Sequence, residues 1–402
     1  MRTISATFEV VTPMFLGGAD QSPDGIRPSS VKGALRFWWR AWAWSALRAQ
    51  HPDDLPALRA LHAQEARLFG LAAKEADSGQ GMFVMHVRDR TAAATEQALG
   101  TSFDNGILYL LGMGLGSFQG GNHCTRAAIP AQQGSRKSGF EVKLIFKPQA
   151  GEADVLAVSS ALQLFGLLGA LGSRARHGLG SVSMTAMQGQ GIPNWQAPQS
   201  LPDYQRALKL LLPPVAGTTM PPLSAFSQHT RIDASLSDKD PMKLLARLGR
   251  EQQAYRSYGK DGMVNGLQAE RNFKDDHNLV LKATEGQDVK QVPERVVFGL
   301  PHNYFFSSTK GKADVNFKPE SGEGRRASPL LLHIHRVGDQ YLAIHTLLKA
   351  RFLPERARIE VKSRRSQRVD VREADIDWQV LHDYLDRYQD KNKSDIWERI
   401  HG

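Results

Sequence analysis

The sequence predicts an α+β fold, and three observations carry that expectation. Apolar residues alternate near the start, strand-like and helix-like stretches then follow one another, and a proline-rich segment divides the chain near its middle. Thr3 to Val11 reads as a strand because Ile4, Ala6, Phe8 and Val10 alternate with Thr3, Ser5, Thr7 and Glu9. A Gly/Pro/Asp loop covers 17–28, after which Ser29 or Ser30 can cap a helix running to about Arg48. Further strands are expected at 82–87, 106–111 and 140–146, then a helix over 152–171 and a strand near 179–184. Strand, helix, two or more strands, helix, strand is the order of a ferredoxin-like unit.

Residues 193–222 hold 7 of the 20 prolines, and proline removes a backbone donor and fixes φ, so most of this stretch cannot be sheet or long helix. The expected organisation is a domain over 1–190, a linker over 191–222 and a second domain over 223–402. In the second half, 225–232 reads as a strand, 241–258 as a helix, 330–337 and 341–345 as a strand pair around Gly338-Asp339, and 378–388 as a terminal helix. A second unit of the same plan is compatible with that order.

The 402 residues carry 51 Lys+Arg against 41 Asp+Glu, a formal charge of +10, with 41% hydrophobic and 23% charged residues. This is the composition of a globular protein and excludes collagen-like, disordered and disulfide-scaffold classes. One cysteine, Cys124, forms no internal disulfide and no paired-cysteine zinc site, which fits a reducing cytoplasm. The uncharged run from Val155 to Ser173 is nearly long enough to span a bilayer, but Ser159, Ser160, Gln163 and three glycines favour a buried core helix and no membrane partner. The positive excess is spread out: 18 cations against 14 acids in 1–190, and 33 against 27 in 191–402. A polyanion must therefore be argued from local clusters.

Four clusters stand out. On the helix at 28–48, Val31, Leu35, Trp38 and Trp42 share one face, Lys32, Arg36 and Arg40 form an adjacent basic stripe, and Trp39 falls on the seam. Like charges at that spacing repel unless a polyanion, an acidic partner or solvent accommodates them. The helix start, preceded by Arg27 and a glycine loop, also presents free N–H groups to a phosphate. In the second cluster, Arg174, Arg176 and His177 sit between Gly172 and Gly178/Gly180. Glycines let the backbone approach a phosphodiester and arginines neutralise it, though a plain helix-to-strand connector has the same pattern. Third, Arg325 and Arg326 precede a strand on which His333 and His335 share one face, towards solvent or a neighbouring domain. Fourth, 349–372 holds nine cations, as a solvated run would. His123-Cys124 and the run Gly112-x-Gly-x-Gly116 carry little, and no paired carboxylate or Ser/His/Asp arrangement is present.

Taken in order, Thr12-Pro-Met-Phe-Leu-Gly-Gly-Ala-Asp20, Arg27-Pro-Ser-Ser-Val-Lys-Gly-Ala-Leu-Arg-Phe-Trp-Trp-Arg40, Gly172-Ser-Arg-Ala-Arg-His-Gly-Leu-Gly-Ser-Val182 and Arg325-Arg-Ala-Ser-Pro-Leu330 form a set. The set resembles the first RAMP (repeat-associated mysterious protein) subunit of the Cmr complex, the type III-B CRISPR effector. The resemblance implies an α+β chain of two tandem ferredoxin-like (RRM-related) RAMP domains and a non-catalytic subunit with no cofactor. It further implies a place near the 3′ end of the guide RNA, beside other RAMP subunits, where the subunit helps capture target RNA in antiviral defence. The RNA-facing positions it implies are Arg27, Lys32, Arg36, Trp39 and Arg40, then Gly172, Arg174, Arg176, His177, Gly178 and Gly180, then Arg325 and Arg326. His177 stands where such loops carry another basic residue, and an imidazole of ordinary pKa is mostly neutral at pH 7.5. The alternative is a metal-independent RAMP endoribonuclease that processes guide precursors with His177 as general base; a structural end-cap meeting an acidic protein surface is a third reading.

Overall fold

The computed structural model describes every residue except 19–21, 72–78, 113, 119–120, 216–218, 260, 320–323 and 355. The first half builds β1 (Thr3–Val10), α1 (Pro28–Ala49), α2 (Asp54–Phe69), β2 (Phe83–Asp89), α3 (Asn105–Leu111), β3 (Gly139–Phe146), α4 (Glu152–Leu168) and β4 (Val182–Gly189). The sheet order is β2-β3-β1-β4 with every neighbour antiparallel, which is the ferredoxin-like topology. Alternation on β1 and β3 points Phe8 and Phe140 to the same face, where they stack at 5.0 Å and Phe8 meets Phe165 of α4 at 5.2 Å.

Helix α4 is apolar on nearly all sides because it is covered on nearly all sides. It packs on α1, the sheet and the helix α5 (Leu201–Leu211), so the uncharged run is a core helix, and no helix among the described residues is long and apolar enough to cross a membrane. Its first turn is closed by Asp154, which accepts from Gly151 N at 3.0 Å and pairs with Arg67 of α2; that pairing holds the Asp154 carboxyl below its usual pKa.

The second half repeats the plan. It contains β5 (Thr230–Asp238), α6 (Pro241–Arg256), α7 (Lys274–Thr284), β6 (His302–Phe305), β7 (Lys312–Lys318), β8 (Leu330–Val337), β9 (Gln340–Leu348), β10 (Arg358–Lys362), β11 (Ser366–Asp370), α8 (Gln379–Asp386) and β12 (Glu398–His401). Strands β8-β9-β5-β12 form an antiparallel sheet in the same order as the first. A separate antiparallel sheet, β6-β7-β10-β11, is contributed by the two insertions that flank β8 and β9.

One expectation is corrected. Residues 106–111 are helix α3, not a strand: Asp104 accepts from Gly106 N at 2.7 Å as an N-cap, and Ile107, Leu110 and Leu111 are buried at helical spacing. This helix lies directly on α6, where a Cβ on Gly106 would fall 2.1 Å from the Ala246 carbonyl and one on Gly249 2.0 Å from that of Gly106. The proline-rich stretch holds a helix of its own, α5, started by Ser200 and Pro202 and anchored by buried Tyr204 and Leu208.

The two sheets meet edge to edge. Ser181 Oγ accepts from Ile334 N at 3.1 Å, Ser183 Oγ accepts from Arg336 N at 3.0 Å, and the Arg176 carbonyl accepts from Leu332 N at 3.0 Å. These bonds satisfy donors that an uncovered edge strand would leave open. His333 and His335 lie under this seam, 3.2 Å apart (Nε2 to Nδ1), with the Tyr204 ring of α5 tilted against His335 at 4.7 Å. Of the two surroundings expected for this pair, the neighbouring unit is the one found.

Candidate nucleic-acid interface

The basic stripe of α1 faces α2 and the edge strand β2. Trp38 and Leu35 are core, and Trp39, expected on the seam within reach of RNA, is 1% exposed and packed against Phe69 at 6.0 Å. Arg40 donates to Glu65 at 2.8 Å and Arg36 stands 3.4 Å from the same carboxylate, while Arg36 also donates to the Gly70 carbonyl. Glu65 is therefore an internal acidic partner for the stripe. Three cations against one carboxylate still leave a surplus of two, and Lys32 has no share in Glu65.

Lys32 opens on a groove of about 680 Å³ between the start of α1 and β2. Ser29, Arg36, Val84 and Lys147 also line it, and no Asp or Glu is among its described lining residues. Helix α1 begins without a side-chain cap and without an acid in its first turn, so its positive end is unneutralised here. Burial, and then the Arg36 charge, lower the Lys32 pKa. Lys147, at the end of β3, donates to the Gln80 carbonyl at 3.3 Å and brings a cation that the sequence pattern does not reveal, because only the sheet order places it beside β2.

The glycine–arginine loop is placed differently. Ser173 N donates to Phe15 O at 2.8 Å, Gly180 N to Pro13 O at 2.9 Å and Thr12 Oγ1 to Gly178 O at 2.6 Å, so the first and third motifs of the sequence form one unit. Arg27 joins them by donating to Gly17 O at 2.8 Å. Gly180 has φ +65°, and a Cβ there would lie 2.0 Å from the Leu171 carbonyl; Gly172 and Gly178 also have positive φ and close backbone or side-chain neighbours. Arg176 donates to the Ser328 carbonyl and lies 5.3 Å from the Phe37 ring of α1, with its pKa pulled down to about 10 by burial and by Arg326. Arg174, at φ +63°, rests against Gly112. Burial, with Arg174, Arg256 and Arg176 around it, pushes the His177 imidazole down to about 3, so it is neutral at physiological pH.

Arg326 is tied by its backbone to Leu300 and lies 5.6 Å from the Phe352 ring, whereas Arg325 is exposed. The cationic run at 349–372 is largely paired within the chain: Arg358 with Asp370 at 2.6 Å, Arg372 with Asp375 at 2.8 Å, and Arg368 with buried Glu360 at 3.6 Å. Cys124 is buried and its thiol is pushed up to about 11, while His123 Nδ1 faces the Gly121 carbonyl at 3.0 Å; the two do not form a nucleophile and base.

A model of the RAMP superfamily matches residues 7–183, the span that contains the first ferredoxin-like unit up to the start of β4. This N-terminal unit is thus similar to the domains of that superfamily. The whole chain is similar in structure to the apo crystal structure of Cmr1 from Pyrococcus furiosus, with a TM-score of 0.55 and 17% identity over 100% of this chain and 99% of that one. It is also similar to a chain in the cryo-EM structure of type III-B Cmr-beta bound to cognate target RNA, with a TM-score of 0.50 and 12% identity over 96% and 99%. At these identities the likeness establishes the fold, which is the Cmr1 fold along its full length. No curated protein matches the sequence.

Proposed function

We propose that this chain is the Cmr1-type RAMP subunit of a cytoplasmic type III-B CRISPR effector, and that it binds RNA without cutting it. The RAMP match over 7–183 and the Cmr1 fold support the assignment to the complex. The observation that carries RNA binding is the groove between α1 and β2, where Lys32, Arg36 and Lys147 meet a helix start without a side-chain cap, and where no carboxylate is among the described lining residues, Glu65 pairing with Arg36 from behind the stripe. Such a surface suits a phosphodiester backbone and gives salt-dependent, sequence-tolerant affinity. The groove is the proposed contact for guide or target RNA, near the guide 3′ end and beside other RAMP subunits.

The endoribonuclease alternative fares worse. A general base works best with a pKa near the working pH, and His177, held at about 3 among three arginines, is too weak a base for that task. Crosslinking 4-thiouridine RNA to the assembled complex tests the proposal. Adducts on 28–40, 79–85 or 147 are expected; adducts confined to other subunits would overturn it in favour of a structural end-cap.

A further inference from the structure

A second cavity, also of about 680 Å³, lies far along the sequence from the first, where the end of α6, the 257–265 loop, α7 and strand β6 of the inserted sheet converge. Its size falls in the range of small-ligand sites. Its walls combine flat rings and guanidiniums. Tyr258 and His277 stack at 3.8 Å and 12°, His277 meets Phe306 edge-on at 5.0 Å, and Phe305, 61% exposed, stands at the rim. Arg271 lies 5.1 Å from the Tyr258 ring and Arg295 4.5 Å from the Tyr304 ring.

Arg271 touches the Tyr258 ring, while Arg295 touches rings, donates to the Arg256 carbonyl at 2.9 Å and has close by the buried Asp276 carboxylate, which accepts from its backbone N at 2.8 Å. Asp261 is the one carboxylate among the described lining residues. Arg271 is fixed close to the loop because Gly262 has no Cβ; one built there would fall 2.5 Å from the guanidinium. Asn303, Ser307 and Ser308 add hydrogen-bonding groups at the same wall. Planar rings beside an exposed Phe, cations within reach, and amide and hydroxyl edges match a nucleotide: the base stacks, the arginines take the phosphate, and the polar side chains meet the base edge.

We infer that this pocket binds one unpaired nucleotide of an RNA strand, as a site separate from the α1–β2 groove and built from the insertion that the first unit lacks. The inference rests on the RNA-binding reading above, and the experiment separates the two. Fluorescence anisotropy of the full chain with a fluorescein-labelled eight-nucleotide single-stranded RNA is compared for wild type, Phe305→Ala, Arg271→Ala and the groove variant Lys32→Ala/Lys147→Ala. Saturation-transfer NMR with AMP and UMP runs in parallel. The expected result is an about five- to tenfold loss of oligonucleotide affinity in Phe305→Ala and in Arg271→Ala, since stacking on one ring is worth about 1–3 kcal/mol. Phe305→Ala keeps the wild-type salt slope, and saturation transfer to the base protons disappears in it. Phe305 is exposed, so its loss leaves the fold intact. Wild-type oligonucleotide affinity in both pocket variants overturns the inference and leaves the RNA-binding reading standing. Binding of AMP or UMP at Phe305 with no oligonucleotide binding overturns the strand assignment and the RNA-binding reading together.

Discussion

The α1–β2 groove and the glycine–arginine loop look alike in sequence, each a set of cations beside glycines, yet the fold uses them in opposite ways. In the loop, Arg176 is turned inward to Ser328 and Phe37, and the glycines accommodate backbone from Pro13, Phe15 and Leu171. In the groove, half-buried Lys32 and Lys147 line an open wall beside a helix start that has no side-chain cap among the described residues. A glycine next to an arginine is thus not in itself a phosphate site. What distinguishes the two is whether backbone already fills the space that the missing Cβ leaves.

The comparison can be broken most forcefully at Gly180. Gly180→Ala adds a Cβ 2.0 Å from a carbonyl at φ +65°, so it is expected to cost about 3 kcal/mol or more. Thermal unfolding of the variant reads this directly, and a wild-type Tm would mean that the loop is slack. Acid comes next. His333 and His345 are held down to about 3 by burial, and His335 well below its usual value. The folded state keeps them neutral, whereas the unfolded chain takes up protons below about pH 6.5. Stability is therefore full near pH 7.5 and falls as pH drops towards 3, by about 1–2 kcal/mol per histidine at pH 5. Urea midpoints at the two pH values check the sign. The smallest effect is expected for Arg176→Ala, which removes one hydrogen bond to the Ser328 carbonyl and costs about 1 kcal/mol. A loss of RNA affinity with unchanged stability would instead make Arg176 a ligand-facing residue.

Much of the first unit was legible because its strands alternate cleanly and its helices are apolar on the faces they bury. The order of the first ferredoxin-like unit followed from those periods. Residues 106–111 were misread since six mostly apolar residues fit a buried strand as well as a short helix; only Asp104 as N-cap distinguishes them. The inserted sheet is hard to read in the sequence because β6 is short and β7 pairs with β10, which lies some 40 residues further on, beyond two strands of another sheet. At the site, the stripe Lys32-Arg36-Arg40 was readable as a pattern, but its partner Glu65 and its neighbour Lys147 depend on tertiary placement. Trp39 shows the same limit in reverse: a seam position on a helical projection is core once α2 packs over it.

The central claim is that the open groove, more than the glycine loop, engages RNA through phosphates. Measuring the affinity of the full chain for single-stranded RNA from about 50 to 200 mM salt, wild type against Lys32→Ala/Lys147→Ala, tests it most directly. The account predicts weaker binding and a log–log salt slope shallower by about 1.4, for two phosphate contacts at about 0.7 each on a single strand. An unchanged slope and affinity in the double variant would contradict it.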